Sequence, residues 1–145
     1  MAKCSKALSD KEMSGMFMFM DLDNFKSVND MYGHGMGDKI LYEVGRILKE
    51  ETRGKDIVGR YGGDEFVALL CDTDDFTKSE HTIERIKERI SKVCDEMGLE
   101  VGITASIGLS FTNQTGFDYR RLKEIADDRL YIAKKSGKDK IVKIS

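Results

Sequence analysis

The sequence lacks the features that mark secreted, membrane-spanning or zinc-binding proteins. Its 145 residues include no proline and three widely spaced cysteines, Cys4, Cys71 and Cys94, with no CxxC pair. An odd number of scattered cysteines favours a reduced, cytoplasmic protein over a disulfide framework or a zinc site. The longest apolar run, residues 16–20, falls far short of the ~20 residues that a membrane-spanning helix needs. The start of the chain is polar, so we expect no signal peptide.

The charge is nearly balanced in total but not along the chain. There are 24 Lys and Arg against 26 Asp and Glu, a net charge of −2, which argues against a general nucleic-acid binder. The last 27 residues nevertheless carry +5, while the remainder carries −7. A solvated helix face and a lysine-protected edge strand would also explain this basic end. No linker or repeat is visible, so the length predicts one domain over residues 1–145.

The apolar pattern predicts strands and helices in alternation. Residues 16–20 are uniformly apolar, which predicts a strand buried on both faces. Residues 101–111 alternate apolar and small polar side chains, which predicts a half-buried strand. Strands are also predicted at 57–61, 66–71 and 141–144, and helices at 24–31, 35–53, 83–97 and 122–136. Because Gly62-Gly63 indicates a hairpin, we expect an α/β (α+β) sandwich whose mixed, partly antiparallel central sheet is flanked by helices.

Acidic residues follow two of the predicted strands. Asp21 and Asp23 come after the buried strand, and Asp64 and Glu65 come after the two glycines of the hairpin. Carboxylates from two adjacent strand ends would make an oxygen-only cage suited to Mg²⁺ bound to phosphates. An ordinary structural role is the alternative, in which Asp23 caps the next helix and the other two are turn residues.

A phosphate-binding surface is available beside this acidic cluster. The helix predicted to begin near Asn24 offers unpaired N–H groups at its N-terminus, and Lys26 lies next to them. His34 and His81 are isolated, with no second ligand at metal spacing, and we interpret both as structural residues.

Ordered motifs along most of the chain resemble the GGDEF family of diguanylate cyclases. The signature itself is Gly62-Gly63-Asp64-Glu65-Phe66. The resemblance extends in order through Asp21-Leu22-Asp23-Asn24-Phe25-Lys26, Asn29-Asp30, Tyr32-Gly33-His34, Gly37-Asp38, Ala105-Ser106-Ile107-Gly108, Ala126-Asp127, Leu130-Tyr131 and Ala133-Lys134. The family implies a fold like the nucleotide-cyclase catalytic domain and conversion of two GTP to cyclic dimeric GMP and pyrophosphate.

The resemblance also implies a metal site. Asp21 and Asp64 match the metal-binding carboxylates, and the main-chain carbonyl of Leu22 completes the protein ligands. Two Mg²⁺ or Mn²⁺ ions per half-site would neutralise the leaving pyrophosphate and activate the ribose 3′-OH. Asp64 is also a candidate for the general base, whereas Glu65 is assigned a weaker catalytic role.

Further residues match the family's substrate-binding positions. Asn29 and Asp38 match the guanine readers, since a carboxylate accepts from guanine N–H groups and an amide donates to its acceptors. Gly62 and Gly63 let substrate approach the hairpin. The family also places substrate contacts at Phe25 and Lys26, in a loop around the phosphates, and at Lys134 and Lys138. The family usually has Arg where this chain has Lys138, which keeps the charge but loses the forked geometry.

A second site is implied five residues before the signature. Arg53 and Asp56 match the RxxD pattern that binds the product for feedback inhibition in this family, although as an isolated pattern it is usually a surface ion pair. Since one half-site holds one GTP, catalysis implies a homodimer.

The resemblance is incomplete at the N-terminus. The family's DxLTGLxNR segment is missing before Met16, so residues 1–15 resemble a remnant of the helix that follows it. We expect an upstream sensory or receiver domain in the parent protein, which could be membrane-anchored although this segment is not expected to contact membrane or nucleic acid. A catalytically silent module that binds GTP or cyclic dimeric GMP is the main alternative, and a mononucleotide cyclase is a more distant one.

Overall fold

The computed structural model describes residues 15–71, 76–112 and 118–144. Strands and helices follow one another much as the sequence predicts. The strands are β1 (Gly15–Asp23), β2 (Ile57–Gly62), β3 (Glu65–Cys71), β4 (Thr104–Phe111) and β5 (Ile141–Val142). The helices are α1 (Phe25–Tyr32), α2 (His34–Glu51), α3 (Phe76–Ser91), α4 (Val93–Glu96) and α5 (Tyr119–Lys135). The predicted helix remnant at 1–15 lies outside the described residues except for Gly15, which begins β1.

These strands form one mixed sheet in the order β2-β3-β1-β4-β5. β1 is central and antiparallel to both β3 and β4. β2 and β3 form the predicted antiparallel hairpin, while β4 and β5 are parallel. The predicted fold class is therefore confirmed.

β1 is buried on both faces, as its uniformly apolar sequence predicts. Met16, Met18 and Met20 pack into the core beneath α1 to α4, whereas Phe17 and Phe19 pack on the opposite face beneath α5. The strand is longer than predicted and continues through Asp23. Asp21 and Asp23 are therefore part of the strand, whereas the sequence predicts that they follow it.

β4 is buried on both faces, so the prediction of a half-buried strand is wrong. Its small residues Ser106, Gly108 and Ser110 lie beneath α5 instead of facing solvent. A Cβ atom at Gly108 would collide with the backbone of Ala126 and Leu130. The alternation of large and small residues therefore reflects close approach of a helix, not exposure to water.

Several predicted ends are displaced. α2 stops at Glu51 because Thr52 is extended (φ −105°, ψ 165°) and donates its hydroxyl to the carbonyl of Leu48. The helix predicted at 83–97 begins at Phe76 and is interrupted at Lys92. The closing strand covers two residues instead of 141–144. Within the described ranges, no helix is long and apolar enough to cross a membrane.

Candidate active site

The acidic ends of β1 and β3 meet at one edge of the sheet. The register pairs Asp21 with Glu65, and the N–H of Leu22 donates to the carbonyl of Asp64 over 3.2 Å. The structure therefore brings together the four residues that the sequence assigns to metal binding and catalysis. An antiparallel neighbour of a central strand makes this possible, because its first residues lie beside the last residues of β1.

The turn between β2 and β3 is shaped by glycine and by an irregular register. The pairing shifts between Arg60 and Gly62, a bulge of the kind that redirects strands beside active sites. Gly63 has a positive φ of 33°, and Arg60 Nε donates to its carbonyl over 2.9 Å. These features fix the position of Asp64 relative to β1.

Asp21 is a mostly buried carboxylate with an unsatisfied oxygen. Its Oδ1 has no hydrogen-bond partner among the described residues, while its Oδ2 lies 3.5 Å from Lys134 Nζ. Burial raises the pKa of Asp21 to about 6, with Lys134 opposing the shift and the carboxylates of Asp64 and Glu65 adding to it. Clustered negative charge and an unpaired buried oxygen are what a bound cation would relieve.

Glu65 lies in the same field of charge. Burial raises the pKa of the Glu65 carboxyl, and the carboxylates of Asp64 and Asp127 raise it further, while Lys123 and Lys134 oppose the change. Lys123 also lies 4.8 Å over the ring of Tyr61, so α5 contacts the hairpin as well as the acidic edge. The sequence pattern gives no sign of this contact between α5 and the hairpin.

The donor set fits a divalent cation that is shared with a nucleotide. No group of three or more His, Cys, Asp or Glu side chains is positioned to hold a metal ion by itself in the part of the chain that is described. Mg²⁺ in nucleotide-processing sites is usually held by one or two carboxylates plus substrate phosphates. Asp21 and Asp64 supply that number, and the remaining ligands would come from the main chain and from phosphate.

Asp23, two residues further along β1, is the best-satisfied carboxylate of the site. It is 1% exposed. It accepts hydrogen bonds from Thr104 Oγ1 (2.7 Å), Ser106 Oγ (2.8 Å), Lys134 Nζ (2.7 Å) and the N–H of Asp139 (3.0 Å). Although burial alone would raise the pKa of Asp23, the donors from Lys134, Thr104 and Ser106 hold it below its usual value.

The alternative that Asp23 caps the next helix is wrong. Asn24 occupies the N-cap of α1 with φ 66° and makes no side-chain cap hydrogen bond. Asp23 instead joins the ends of β1 and β4 to α5 and to the loop that precedes β5. Sequence reasoning missed this role, and the available signal was the polar Thr104 and Ser106 within an otherwise apolar strand.

Lys134 lies at the acidic edge, while Lys138 lies in the loop after α5. Lys138 is exposed and adopts a positive φ of 63°, followed by Asp139 at 50°. Two successive non-glycine residues in this conformation are uncommon and strained. Their arrangement directs the N–H of Asp139 to Asp23, which is a reason for the strain to be tolerated.

The segment predicted to form a phosphate loop is helical from its first residue. Phe25 begins α1 and its ring is buried in the core, so a contact between Phe25 and phosphate would come from its main chain, and its assignment to substrate binding stays a prediction. Lys26 is exposed in the first turn, next to N–H groups that have no partner within the helix. The anion-binding potential of this helix end is retained.

The two predicted guanine readers lie on neighbouring helices. Asn29 is on α1, and its buried Oδ1 has no hydrogen-bond partner among described residues. Asp38 is exposed on α2 and lines a cavity of about 810 Å³ between α2 and β2. The walls of this cavity include Leu41, Val58 and Phe66, and its volume is in the range of small-molecule sites.

The RxxD pattern forms a tight turn between α2 and β2. Asp56 accepts from the N–H of Arg53 (2.8 Å) and from the N–H of Cys71 (3.0 Å), and its own N–H donates to the carbonyl of Arg53 (2.9 Å). No ion pair joins the two side chains, so the ion-pair alternative fails for these two residues. Asp56 shapes the turn, and the Arg53 side chain is left exposed.

Comparisons with known proteins show the family to which the chain belongs. The family model described as the GGDEF domain of diguanylate cyclases matches residues 2–140. The diguanylate cyclase DosC of Escherichia coli (strain K12) is 38% identical over 126 residues, which cover 86% of this chain and 27% of that protein. The chain therefore belongs to the GGDEF family of diguanylate cyclases and spans about a quarter of the length of that relative.

Solved structures show the same fold. The diguanylate cyclase SiaD of Pseudomonas aeruginosa, in complex with its activator SiaC, matches with a TM-score of 0.84 and 33% identity, covering 99% of this chain and 55% of that one. A microbial GGDEF domain studied for its interaction with bis-(3′,5′)-cyclic di-GMP matches with a TM-score of 0.80 and 25% identity, covering 98% and 86%.

Proposed function

We propose that this chain is the catalytic module of a diguanylate cyclase, which condenses two GTP into 3′,5′-linked cyclic dimeric GMP and releases two pyrophosphates. The observation that carries the proposal is the meeting of Asp21 and Asp64 at the sheet edge with one buried carboxylate oxygen unpaired. The family membership and the E. coli relative named a diguanylate cyclase support it.

The acidic edge is proposed to hold the metal. Asp21, Asp64 and the carbonyl of Leu22 would bind Mg²⁺ or Mn²⁺, two per half-site. When bound, these ions supply charge neutralisation at the triphosphate and a lowered pKa of the attacking ribose 3′-OH. Asp64 would accept the hydroxyl proton, and Glu65 would have the weaker role of orienting substrate or metal.

The remaining substrate contacts follow from charge and position. Lys134 reaches the acidic edge and would exchange its carboxylate contacts for phosphate oxygens, with Lys138 as a second cation in the nearby loop. Lys26 and the first N–H groups of α1 would bind phosphate. Asn29 and Asp38 would read guanine, with Asp38 at the rim of the cavity between α2 and β2.

The reaction requires two copies of the chain, because each holds one GTP and each 3′-OH attacks the other's α-phosphate. We therefore propose a homodimer with the two acidic edges facing each other. An upstream sensory or receiver domain would control its formation, and the location would be cytoplasmic. SiaD, which is solved with an activator protein, shows that a similar chain can have a protein partner.

Product inhibition is proposed at the RxxD turn. Because Asp56 fixes the turn through two backbone N–H groups, the guanidinium of Arg53 is presented to solvent, where it could bind a phosphate or the edge of guanine. Asp56 keeps spare acceptor capacity on both oxygens for a guanine N–H.

A catalytically silent module that binds GTP or cyclic dimeric GMP is the second candidate. The observation that favours it is Lys138, which is exposed and lacks the forked geometry of the family's Arg. Weaker triphosphate binding would follow from this difference.

The deciding experiment is incubation of the protein at high concentration with GTP and Mg²⁺ or Mn²⁺, followed by mass identification of products. Cyclic dimeric GMP and pyrophosphate are expected. GTP binding without any cyclic dinucleotide would support the silent module, and a cyclic mononucleotide would indicate the more distant alternative.

A further inference from the structure

Gly37 lies where α2 crosses α1, directly beneath the amide of Asn29. It is a buried residue in the first turns of α2. A Cβ atom built on Gly37 would overlap Asn29 Oδ1 and lie 3.0 Å from Asn29 Cγ and 3.1 Å from Phe25 Cζ. The lack of a side chain at this position is what lets the amide of Asn29 rest against α2.

The backbone of Gly37 does not itself require glycine. Its φ lies in the region that any residue adopts, and alanine in a helix is normally favoured over glycine by about 0.5–1 kcal/mol. The need for glycine therefore comes from the space that Asn29 occupies. The atom that an added methyl group would overlap is the end of a flexible side chain, whereas the Phe25 ring would need to shift by only a few tenths of an ångström, so we expect the amide to be displaced and the helices to stay in place.

No hydrogen bond to the Oδ1 of Asn29 from the described residues opposes such a displacement of its amide. Its Oδ1 is buried without a hydrogen-bond partner among the described residues, so no polar contact there would hold the amide in place after displacement. The main-chain carbonyl of Asn29 accepts from Gly33 N–H over 2.8 Å, which fixes the backbone of α1 but not the side chain. Packing against Gly37 thus sets the position of the amide.

We propose that Gly37 is a positioning residue for guanine recognition, acting through the Asn29 amide. The inference rests on the proposed function, in which Asn29 reads the base. It predicts that a methyl group at position 37 weakens binding of guanine nucleotides selectively, without loss of the fold and without a direct contact between residue 37 and substrate.

The test is a comparison of Gly37→Ala, Asn29→Ala and the double variant, with binding of 3′-deoxy-GTP and of ATP measured by calorimetry in Mg²⁺. Loss of one neutral hydrogen bond corresponds to roughly 3- to 10-fold weaker binding of the guanine nucleotide, with ATP unchanged. The double variant should bind no more weakly than Asn29→Ala, because the displaced group is already absent. Gly35→Ala is the matched control, since a Cβ atom there meets nothing within 4 Å.

The outcomes separate the inference from the function on which it rests. Guanine binding equal to wild type in Gly37→Ala, or a loss that adds fully to that of Asn29→Ala, would overturn the positioning role. If Gly37→Ala unfolds, the double variant should recover stability, and failure to recover also overturns it. A wild-type protein with no preference for 3′-deoxy-GTP over ATP would instead contradict the proposed function.

Discussion

Asp21 and Asp23 stand two residues apart on the same face of β1 and have opposite surroundings. Asp23 is fully buried and accepts from four groups, so its charge is stabilised. Asp21 has a buried oxygen without a partner and lies beside two further carboxylates, so its charge is destabilised. The comparison separates a carboxylate that holds the fold together from one that is available to bind a cation.

Lys134 connects the two carboxylates. Its Nζ lies 2.7 Å from Asp23 and 3.5 Å from Asp21, so its stronger contact is with the structural carboxylate. A lysine anchored in this way stays at the acidic edge before substrate arrives. In the proposed function, Asp23 would therefore contribute to phosphate binding indirectly, by holding Lys134 in place.

The largest effect is expected from removing Asp64, the second carboxylate of the cation site to which Asp21 belongs. Asp64→Ala should lower turnover by about a thousandfold or more, about 4 kcal/mol of barrier, because the cation site loses one of its two carboxylates. Product formation from GTP measures this, and circular dichroism checks that the fold remains. Asp128→Ala, which removes an exposed carboxylate of α5, is the charge control. Turnover unchanged in Asp64→Ala would refute the assignment.

The next largest effect is expected on stability, from replacing Asp23. Asp23→Asn should lower the free energy of unfolding by about 2–3 kcal/mol. The reason is that Thr104, Ser106 and Lys134 would no longer have a negatively charged acceptor for their buried hydrogen bonds. Asp21→Asn should leave stability unchanged or raise it, since it removes a charge that has unfavourable neighbours. Urea unfolding in metal-free buffer compares the two. Equal destabilisation by both substitutions would contradict the view that Asp23 stabilises the fold and Asp21 does not.

A smaller effect extends the comparison to Asp56, which resembles Asp23 because both of its oxygens accept backbone N–H groups. Arg53→Ala should raise the product concentration needed for inhibition by about tenfold, the loss of one charge-assisted contact. Initial rates at increasing cyclic dimeric GMP measure it, with Arg121→Ala as an exposed control on α5. An unaltered inhibition curve would argue against the inhibitory site.

The smallest effect is a difference in pH dependence. The folded-state pKa of Asp21 is raised from 3.8 to about 6, so the metal-free protein should lose stability as pH rises from about 4 to about 6. Asp23 has a lowered pKa and contributes the opposite dependence, which is lost only on acidification below its usual value. Unfolding at pH 4.5 and 7 should therefore show a smaller decrease in Asp21→Asn than in wild type, and equal decreases would contradict the assignment.

Most of the fold follows from apolar patterning, and the exceptions share a cause. The uniformly apolar run in β1 correctly indicates burial on both faces. A strand with apolar side chains on both faces is stable in the sheet only when helices cover both of them. The alternation in β4 does not mark a face in contact with water, because Gly108 is small where α5 approaches closely and the Ser110 hydroxyl donates to the carbonyl of Leu122 in α5. Pattern alone does not distinguish these two reasons for a small residue.

The location of the acidic edge could be predicted from the sequence, but the different roles of its residues could not. The positions of Asp21 and Asp64 at adjacent strand ends follow from the hairpin and the central strand. The roles of Asp23 and Gly37 depend on partners far away in sequence or on a neighbouring helix, such as Thr104 and Asn29. Such contacts arise only when the elements have packed.

Cation binding tests the central distinction most directly. Mn²⁺ can be titrated into wild type, Asp21→Asn and Asp23→Asn in the presence of 3′-deoxy-GTP, which lacks the attacking hydroxyl, with bound Mn²⁺ followed by electron paramagnetic resonance. We predict that Asp21→Asn loses Mn²⁺ affinity by at least about tenfold while remaining fully folded. Wild-type affinity in Asp21→Asn, with the loss found instead in folded Asp23→Asn, would contradict the account.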